Sequence, residues 1–499
     1  MVTVGISLYS TRLILSALGV VDFGIFNLIA GIIALLAFVN NAMSTSTQRY
    51  LSFYQGAENK RLIVNVFRHS YLLHLIIGIS MVVILGGLKF ILFGGFLNIP
   101  VSRLGAAVYV YYFMIITVFF NVISVPFVAS LTAHENMLWV AVVACAEVLS
   151  RLAIALLLLN ISEGRLEIFA ALTALTALIS FLMYAIFCIR RYYECSLHLP
   201  VTIEVKLMKE LSTYAGWNLF GTLCFLGRTQ GLAVLLNLFL GSVVNAAYAI
   251  ANQVTAQLSF FSTTMLRSLN PQIMKSEGAG DRERMLRLAL MACKFGFLLL
   301  AMIAIPALFE MAAIMRFWLK NVPPYTVVFC QLVIIATLIN QLTVGLQSAI
   351  QATGNIKAYQ SLVGTLILLN LPLAYILLLL GFSAESVLKS YCLVELIACG
   401  LRLNFARKLA GLSERRYLNE MLSKLLVPII GAVTMSYFCT SRLHEFPYRF
   451  VLNFSIIVPF FCVLVYFFSL DSSEKKLVNG IVMKIFYFIK IKWDTARNR

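Results

Sequence analysis

The sequence predicts an all-α polytopic membrane protein made of two like-oriented halves. Composition, the spacing of apolar runs and an internal repeat predict it. Of 499 residues, 61% are hydrophobic and only 12% are charged, with a mean hydropathy of +0.91. A soluble domain carries charge on about a quarter of its residues. Apolar runs of roughly 20 residues recur along the whole chain, long enough for a helix to cross a hydrocarbon core of about 30 Å. The alternating segments of about ten residues that a membrane barrel needs are absent.

The repeat is read without a gap. Leu18-Gly19 aligns with Leu240-Gly241, Phe38 with Phe260, Met43 with Met265 and Gly56 with Gly278. A second stretch, Asn121 to Pro126 with Ala133 and Asn136, aligns with Asn340 to Gly345 with Ala352 and Asn355. The register drifts by about three residues between the two matches, as a change in loop length produces. Two such halves imply a binding cavity between them. Met1 aligns with Leu223, and about a dozen helix-forming residues from Leu211 onward precede that position. The first span is therefore expected to be short at its start, through truncation or through a difference between the halves there.

About fourteen spans are expected. They start near Val2, Phe23, Ser70, Leu104, Met137, Glu167, Ser212, Ser242, Leu288, Tyr325, Tyr359, Ser386, Leu425 and Phe450. Each start opens an apolar run, and the intervals hold Gly, Pro or clustered charge. The expected organisation is an N-terminal lobe over 1–205, a C-terminal lobe over 206–422, two further spans over 423–470 and a basic tail over 471–499. The two lobes hold six helices each and are related by a pseudo-two-fold axis. If the first span runs outward, lysines and arginines such as Lys60, Arg61, Arg190, Arg191, Lys206, Lys209, Arg407 and Lys408 fall on the cytoplasmic side. The opposite side keeps Arg103, Arg165, Arg316, Lys320, Lys389, Arg442 and Arg449. This bias of roughly threefold places both termini in the cytoplasm. The tail mixes Phe486, Tyr487, Phe488 and Trp493 with lysines, as an interfacial helix does.

The net charge of +18 follows from this topology and from attraction to anionic lipid, so no nucleic-acid partner is expected. Ten cysteines and five histidines show no metal-ligand spacing, and neither a metal nor a cofactor is expected.

Charge inside an apolar span costs about 2.5–3.5 kcal/mol unless it faces protein or water. Arg12 in the first span and Arg228 in the seventh are the clearest cases, with Lys294 in the ninth and Arg49 at the inner end of the second. These four cations are the candidate substrate-binding set of a positive cavity. For Arg49, Lys294 and Arg267, snorkelling to the headgroups is the competing explanation. Among embedded carboxylates, Glu147 lies four residues before Arg151 and Glu395 seven before Arg402, spacings suited to ion pairs or to coupling. His74 is read as a satisfied structural histidine. Pro126 and Gly345 occupy matching positions in the fourth and tenth spans and predict paired helix breaks along a substrate path. Asn121, Asn340 and Gln341 offer neutral hydrogen bonds suited to sugar hydroxyls, or pack against neighbouring helices.

Several segments carry a family resemblance. Ser7 to Arg12, Leu18-Gly19, Asp22 to Asn27, Ala42 to Arg49 and Asn270 to Lys275 resemble the bacterial O-antigen and capsule oligosaccharide flippases. Those proteins belong to the multidrug, oligosaccharidyl-lipid and polysaccharide exporter superfamily. The resemblance implies two six-helix lobes, two added C-terminal helices and alternating access. It further implies a multi-pass protein of the bacterial inner membrane that moves an undecaprenyl-pyrophosphate-linked oligosaccharide to the periplasmic leaflet. Membrane lipids and polysaccharide assembly machinery would be its partners. Cavity cations are thought to engage the acidic substrate in that family, and Arg12 and Arg228 are the positions that fit. Guanidinium forks bind pyrophosphate oxygens in pairs, whereas a lysine offers a point charge. No bond is made or broken, so no enzyme activity is expected.

Two other functions compete. A cation-coupled multidrug antiporter would share the fold, but the first span offers Arg12 and no carboxylate. A membrane-embedded polysaccharide polymerase or ligase would need a large external loop, and every such connection here is shorter than about fifteen residues.

Overall fold

The computed structural model describes residues 2–34, 37–96, 99–195, 204–319, 321–442, 448–476 and 479–480. The aromatic and basic part of the tail, from 481 onward, lies outside the described residues. Helices account for nearly all of the described chain, and no strand occurs among the described residues.

The helices of the first half are α1 (Val2–Ala34), α2 (Ala37–Gly56), α3 (Lys60–Ile91), α4 (Leu104–Ala133), α5 (Met137–Leu159) and α6 (Arg165–Arg191). The second half holds α7 (Val205–Leu240), α8 (Ser242–Leu258), α9 (Phe260–Gly278), α10 (Arg282–Leu319), α11 (Thr326–Gln341), α12 (Val344–Thr353), α13 (Lys357–Leu368), α14 (Asn370–Leu379) and α15 (Ala384–Phe405). The short α16 (Glu414–Tyr417), then α17 (Ser423–Arg442) and α18 (Arg449–Leu464), complete it. Among the described residues, ten helical stretches are long and apolar enough to cross a membrane, or eleven when the bent pair α11–α12 counts as one span. Of the remaining starts expected from sequence, that near Phe23 falls inside α1, within one apolar stretch over Tyr9–Gly31, and those near Ser242 and Ser386 fall on α8, which is shorter, and α15, which is more polar. α2 carries Asn40, Asn41 and the run Ser44 to Arg49, while α15 carries Glu385, Lys389, Glu395 and Arg402.

The described chain falls into two compact units: residues 1–225 with 270–285 and 351–364, and residues 226–269 with 286–350 and 365–499. In the first unit, α4 packs on α2, α3 and α6, and α1 packs on α5. Its core is built around Ile25, Tyr111 and Phe169 at one end and Leu51, Phe67 and Phe127 at the other. In the second unit, α11 packs on α8 and α15, α17 on α18, and Leu232, Tyr248, Leu300 and Phe329 form the core.

The internal repeat reappears as backbone geometry. Gly19 interrupts α1 at φ 76°, ψ 169°, and its counterpart Gly241 separates α7 from α8 at φ 84°, ψ 177°. That region of backbone space is open essentially to glycine alone. The starts expected near Phe23 and Ser242 thus each follow closely on such a glycine. Further along, Asn59 caps α3 by accepting from the Leu62 amide (3.1 Å) and Asp281 accepts from the Arg284 amide (2.9 Å). Those capping residues are also repeat partners, 222 positions apart, and side-chain oxygens at such positions satisfy the free first-turn amides.

Gly56 and Gly278 make a reciprocal contact. A Cβ on Gly56 would overlap the carbonyl of Lys275, and one on Gly278 would overlap the carbonyl of Phe53. Phe53 and Lys275 are themselves repeat partners, so the ends of α2 and α9 cross backbone to backbone about a local two-fold.

The paired interruption expected at Pro126 and Gly345 is uneven. α4 continues through Pro126 as one helix from Leu104 to Ala133. A proline in a membrane helix is tolerated when the freed carbonyl sits in a packed surrounding, and Pro126 is buried. In the second half the break falls between Gln341 and Val344, with a bend of 43°. Gly345 lies just beyond it and serves close packing, since a Cβ there would overlap the Ala289 carbonyl of α10.

Candidate functional site

In the second unit, a buried charge cluster brings together residues from three helices. Arg228, midway along α7, donates from Nη1 to Glu395 Oε2 at 3.0 Å and from Nη2 to the Tyr391 hydroxyl at 3.3 Å. Its guanidinium lies 4.2 Å from the Tyr391 ring centre. On α15, Arg402 Nη1 reaches Glu395 Oε1 at 2.8 Å, two helical turns away as the seven-residue spacing requires. Asn340, near the end of α11, donates to that same oxygen at 2.7 Å. Arg228 and Glu395 are each 1% exposed and Arg402 is 3% exposed. Two guanidinium groups thus share one carboxylate where desolvation makes charge expensive. Three sequence candidates, Arg228, Glu395 and Asn340, are assembled here.

Lys294 belongs elsewhere in this unit. It is buried, and its Nζ donates to Glu474 at 2.7 Å and to the Ser469 carbonyl at 3.3 Å, with Asp471 at 3.7 Å. It ties α10 to the start of the tail and does not snorkel. Glu310 forms a third charged cluster, accepting from Arg449 Nε (3.0 Å) and Nη2 (3.1 Å) and from Asn453. Nothing in the sequence separation of 139 residues signals that pair; the only available clue is that a buried carboxylate needs a cation. Gln341 is buried, with its oxygen beside Gly296.

In the first unit, Arg49 is 6% exposed. Its Nη2 donates to the Ala352 carbonyl at 2.8 Å, and the rings of Tyr50, Phe53 and Tyr214 lie 4.5, 4.7 and 5.6 Å from the guanidinium carbon. Arg49 is therefore a packed internal cation. Arg12 is exposed on α1. Asn121, Glu147 and Arg151 line a cavity of about 310 Å³ together with Thr117, Thr173 and Thr176. Glu147 and Arg151 are exposed to that space, and no salt bridge joins them among the described residues. The four-residue spacing put them on one face, but both point toward open volume. His74 is buried and its Nδ1–H donates to the Ser70 carbonyl at 2.6 Å.

A further charged pair lay outside the expectations from sequence. Glu194, just past the end of α6, is fully buried and bonds His134 Nε2 at 2.6 Å, with the Ser130 hydroxyl at 3.2 Å. His134 stacks on Tyr192 at 3.9 Å between ring centres. Burial alone would raise the Glu194 carboxyl, but the hydrogen bond and charge of His134 hold it below its ordinary value of 4.5. A carboxylate depressed by folding stabilises the folded form above its unfolded value and loses that contribution as pH falls through the folded value. The melting temperature of the purified protein is therefore expected to fall on acidification below pH 4.5, and Glu194→Gln to flatten that fall. Parallel pH profiles for the two proteins would rule out Glu194 as the source.

No family model and no curated protein sequence matches the chain. Solved structures do match its fold. A crystal structure of MATE in the straight conformation superposes with a TM-score of 0.68 at 14% identity, covering 82% of this chain and 94% of that one. An outward-facing multidrug resistance MATE family transporter of the MOP superfamily gives 0.67 at 14% identity, with the same coverage. A MOP superfamily transporter from Pyrococcus furiosus, whose reverse polarity of the binding pocket is taken to suggest a different function, gives 0.64 at 15% identity, again covering 82% and 94%. The chain is thus a multi-pass membrane protein with the fold of the MATE and MOP-superfamily transporters.

Proposed function

We propose that the protein is a flippase for an undecaprenyl-pyrophosphate-linked oligosaccharide, working by alternating access in the bacterial inner membrane to supply O-antigen, capsule or exopolysaccharide synthesis. The supporting observation is the Arg228–Glu395–Arg402 cluster. Its two guanidinium groups are buried in the second unit, and the carboxylate oxygens already accept from both of them and from Asn340. Such a carboxylate is poorly placed to bind a cationic drug or a coupling ion. The two guanidinium groups instead favour an anionic headgroup, which pays less to leave water when it approaches fixed cations. Lipid tails would stay in the bilayer while the glycan crosses through a wet path.

A cation-coupled multidrug antiporter is the second reading. It is supported by the cavity in which Glu147 faces the hydroxyls of Thr117, Thr173 and Thr176, and by the multidrug transporters that share the fold. The test is flipping of a fluorescent undecaprenyl-pyrophosphoryl oligosaccharide in proteoliposomes. Wild type is expected to flip it, Arg228→Ala to lose about tenfold or more in rate, equivalent to about 1.4 kcal/mol, and Arg228→Lys to retain part. Full activity in both variants removes Arg228 from the mechanism. Export of a cationic dye without flipping of the glycolipid selects the antiporter.

A further inference from the structure

A cavity in the first unit, separate from the Arg228 cluster, combines lysines with aromatic walls. Its volume is about 390 Å³, and among the described residues Lys206, Lys209 and Lys357 line it with one carboxylate, Glu210. Tyr50, Tyr214 and Trp217 supply the aromatic faces. Lys206 and Lys209 stand in the first turns of α7, and Lys357 opens α13. Both helices begin apolar membrane stretches at these residues, so the cavity lies at the headgroup end of two membrane helices. The free amides and dipoles of both helix starts add to the positive potential there.

The pocket is built rather than incidental. The packed Arg49 lies behind its wall, held by the Ala352 carbonyl and flanked by the rings of Tyr50 and Tyr214. Gly354, at φ 82°, lets the chain pass that guanidinium: a Cβ there would lie 2.6 Å from Arg49 Nη2. The Tyr214 hydroxyl donates to the Gln351 carbonyl at 3.2 Å, and Gln360 donates to Asn218 at 3.0 Å, fixing α7 against α13. Lys357 Nζ sits 5.8 Å from the centre of the Trp217 ring, so cation and stacking surface are presented together.

We infer that this cavity binds the phosphate-bearing headgroup of an amphiphile at the membrane surface, with the lysines around the phosphate and Trp217 against the adjoining polyol or sugar. Lysine ammonium groups suit a mobile phosphate because each acts as a point charge. Aromatic faces suit the apolar face of a polyol, while Glu210 and Asn355 offer acceptors to its hydroxyls. Nothing in this assignment depends on what the protein transports. The same chemistry is offered by an anionic phospholipid and by a polyprenyl pyrophosphate.

The full chain in phosphatidylcholine nanodiscs should be titrated with dihexanoyl phosphatidylglycerol and, separately, with farnesyl pyrophosphate. Binding is read as the fluorescence change present in wild type and missing from Trp217→Phe. A saturable change is expected with at least one probe, and Lys206→Gln/Lys209→Gln/Lys357→Gln should weaken it tenfold or more. Tighter binding of the glycerol probe assigns the cavity to membrane phospholipid; tighter binding of the pyrophosphate assigns it to a polyprenyl-linked ligand. A control of equal charge change, Arg407→Gln/Lys408→Gln/Arg415→Gln, should leave affinity within twofold. Equal weakening by the control, or no saturable response to either probe, overturns the assignment.

Discussion

Glu395→Ala is expected to destabilise the protein by about 3–5 kcal/mol, because it removes the carboxylate that two buried guanidinium groups share. Glu395 is the shared acceptor for Arg228 and Arg402, each nearly inaccessible to solvent. Truncating either arginine leaves the other paired, so Arg228→Ala and Arg402→Ala should each cost less than Glu395→Ala. Scanning fluorimetry of detergent-solubilised variants gives the order directly. The double variant Glu395→Leu/Arg228→Met should recover part of the loss, since an apolar replacement of a buried ion pair is often nearly neutral. A melting temperature for Glu395→Ala within a degree or so of wild type would mean that water reaches the cluster and screens it.

The second large effect is expected at the crossing of α2 and α9. Gly278→Ala places a methyl group into the Phe53 carbonyl, and Gly56→Ala does the same against Lys275. The obstacle in both cases is backbone, which cannot rotate away as a side chain can, so the helices must separate. Overpacking of this kind costs typically about 1–3 kcal/mol, and the upper end applies when the clash is with main chain. Both substitutions should lower the melting temperature, and a cysteine pair placed at Phe53 and Lys275 should lose crosslinking efficiency in their presence. Unchanged crosslinking would mean that the crossing is looser than the backbone approach requires.

The fold was legible in the sequence wherever apolar length or repetition carried the signal. Gly19 and Gly241 align in sequence and adopt one unusual backbone geometry, and the Glu395–Arg402 spacing led directly to a bridge. Polar spans were harder: α2 and α15 carry charge whose tolerance depends on neighbours that a hydropathy average cannot see. Of the candidate cations, Arg228, Lys294 and Arg49 are buried and Arg12 is exposed, and distant partners of buried charges were not read from the sequence. Lys294 pairs with Glu474, Glu310 with Arg449 and Glu194 with His134. Each of these pairs joins elements far apart in the chain, and no periodicity encodes such contacts. Glu147 and Arg151 show the opposite failure, since a shared helix face does not compel a bridge when both side chains can face a cavity.

The left-handed backbone positions extend the correspondence between the halves in a direction of their own. Glu58 at φ 53° and Glu135 at φ 59° occupy in the first half the places that Gly280 and Gly354 occupy in the second, at φ 75° and 82°. Side-chain identity has drifted at both places while the bend of the main chain has stayed. The two halves therefore behave like a pair of long-diverged relatives carried in one molecule, and their comparison separates what the architecture demands from what each half does for itself. By that criterion the reversing turns are inherited scaffolding. Arg228, which aligns with Ile6, marks a place where the symmetry between the halves is broken.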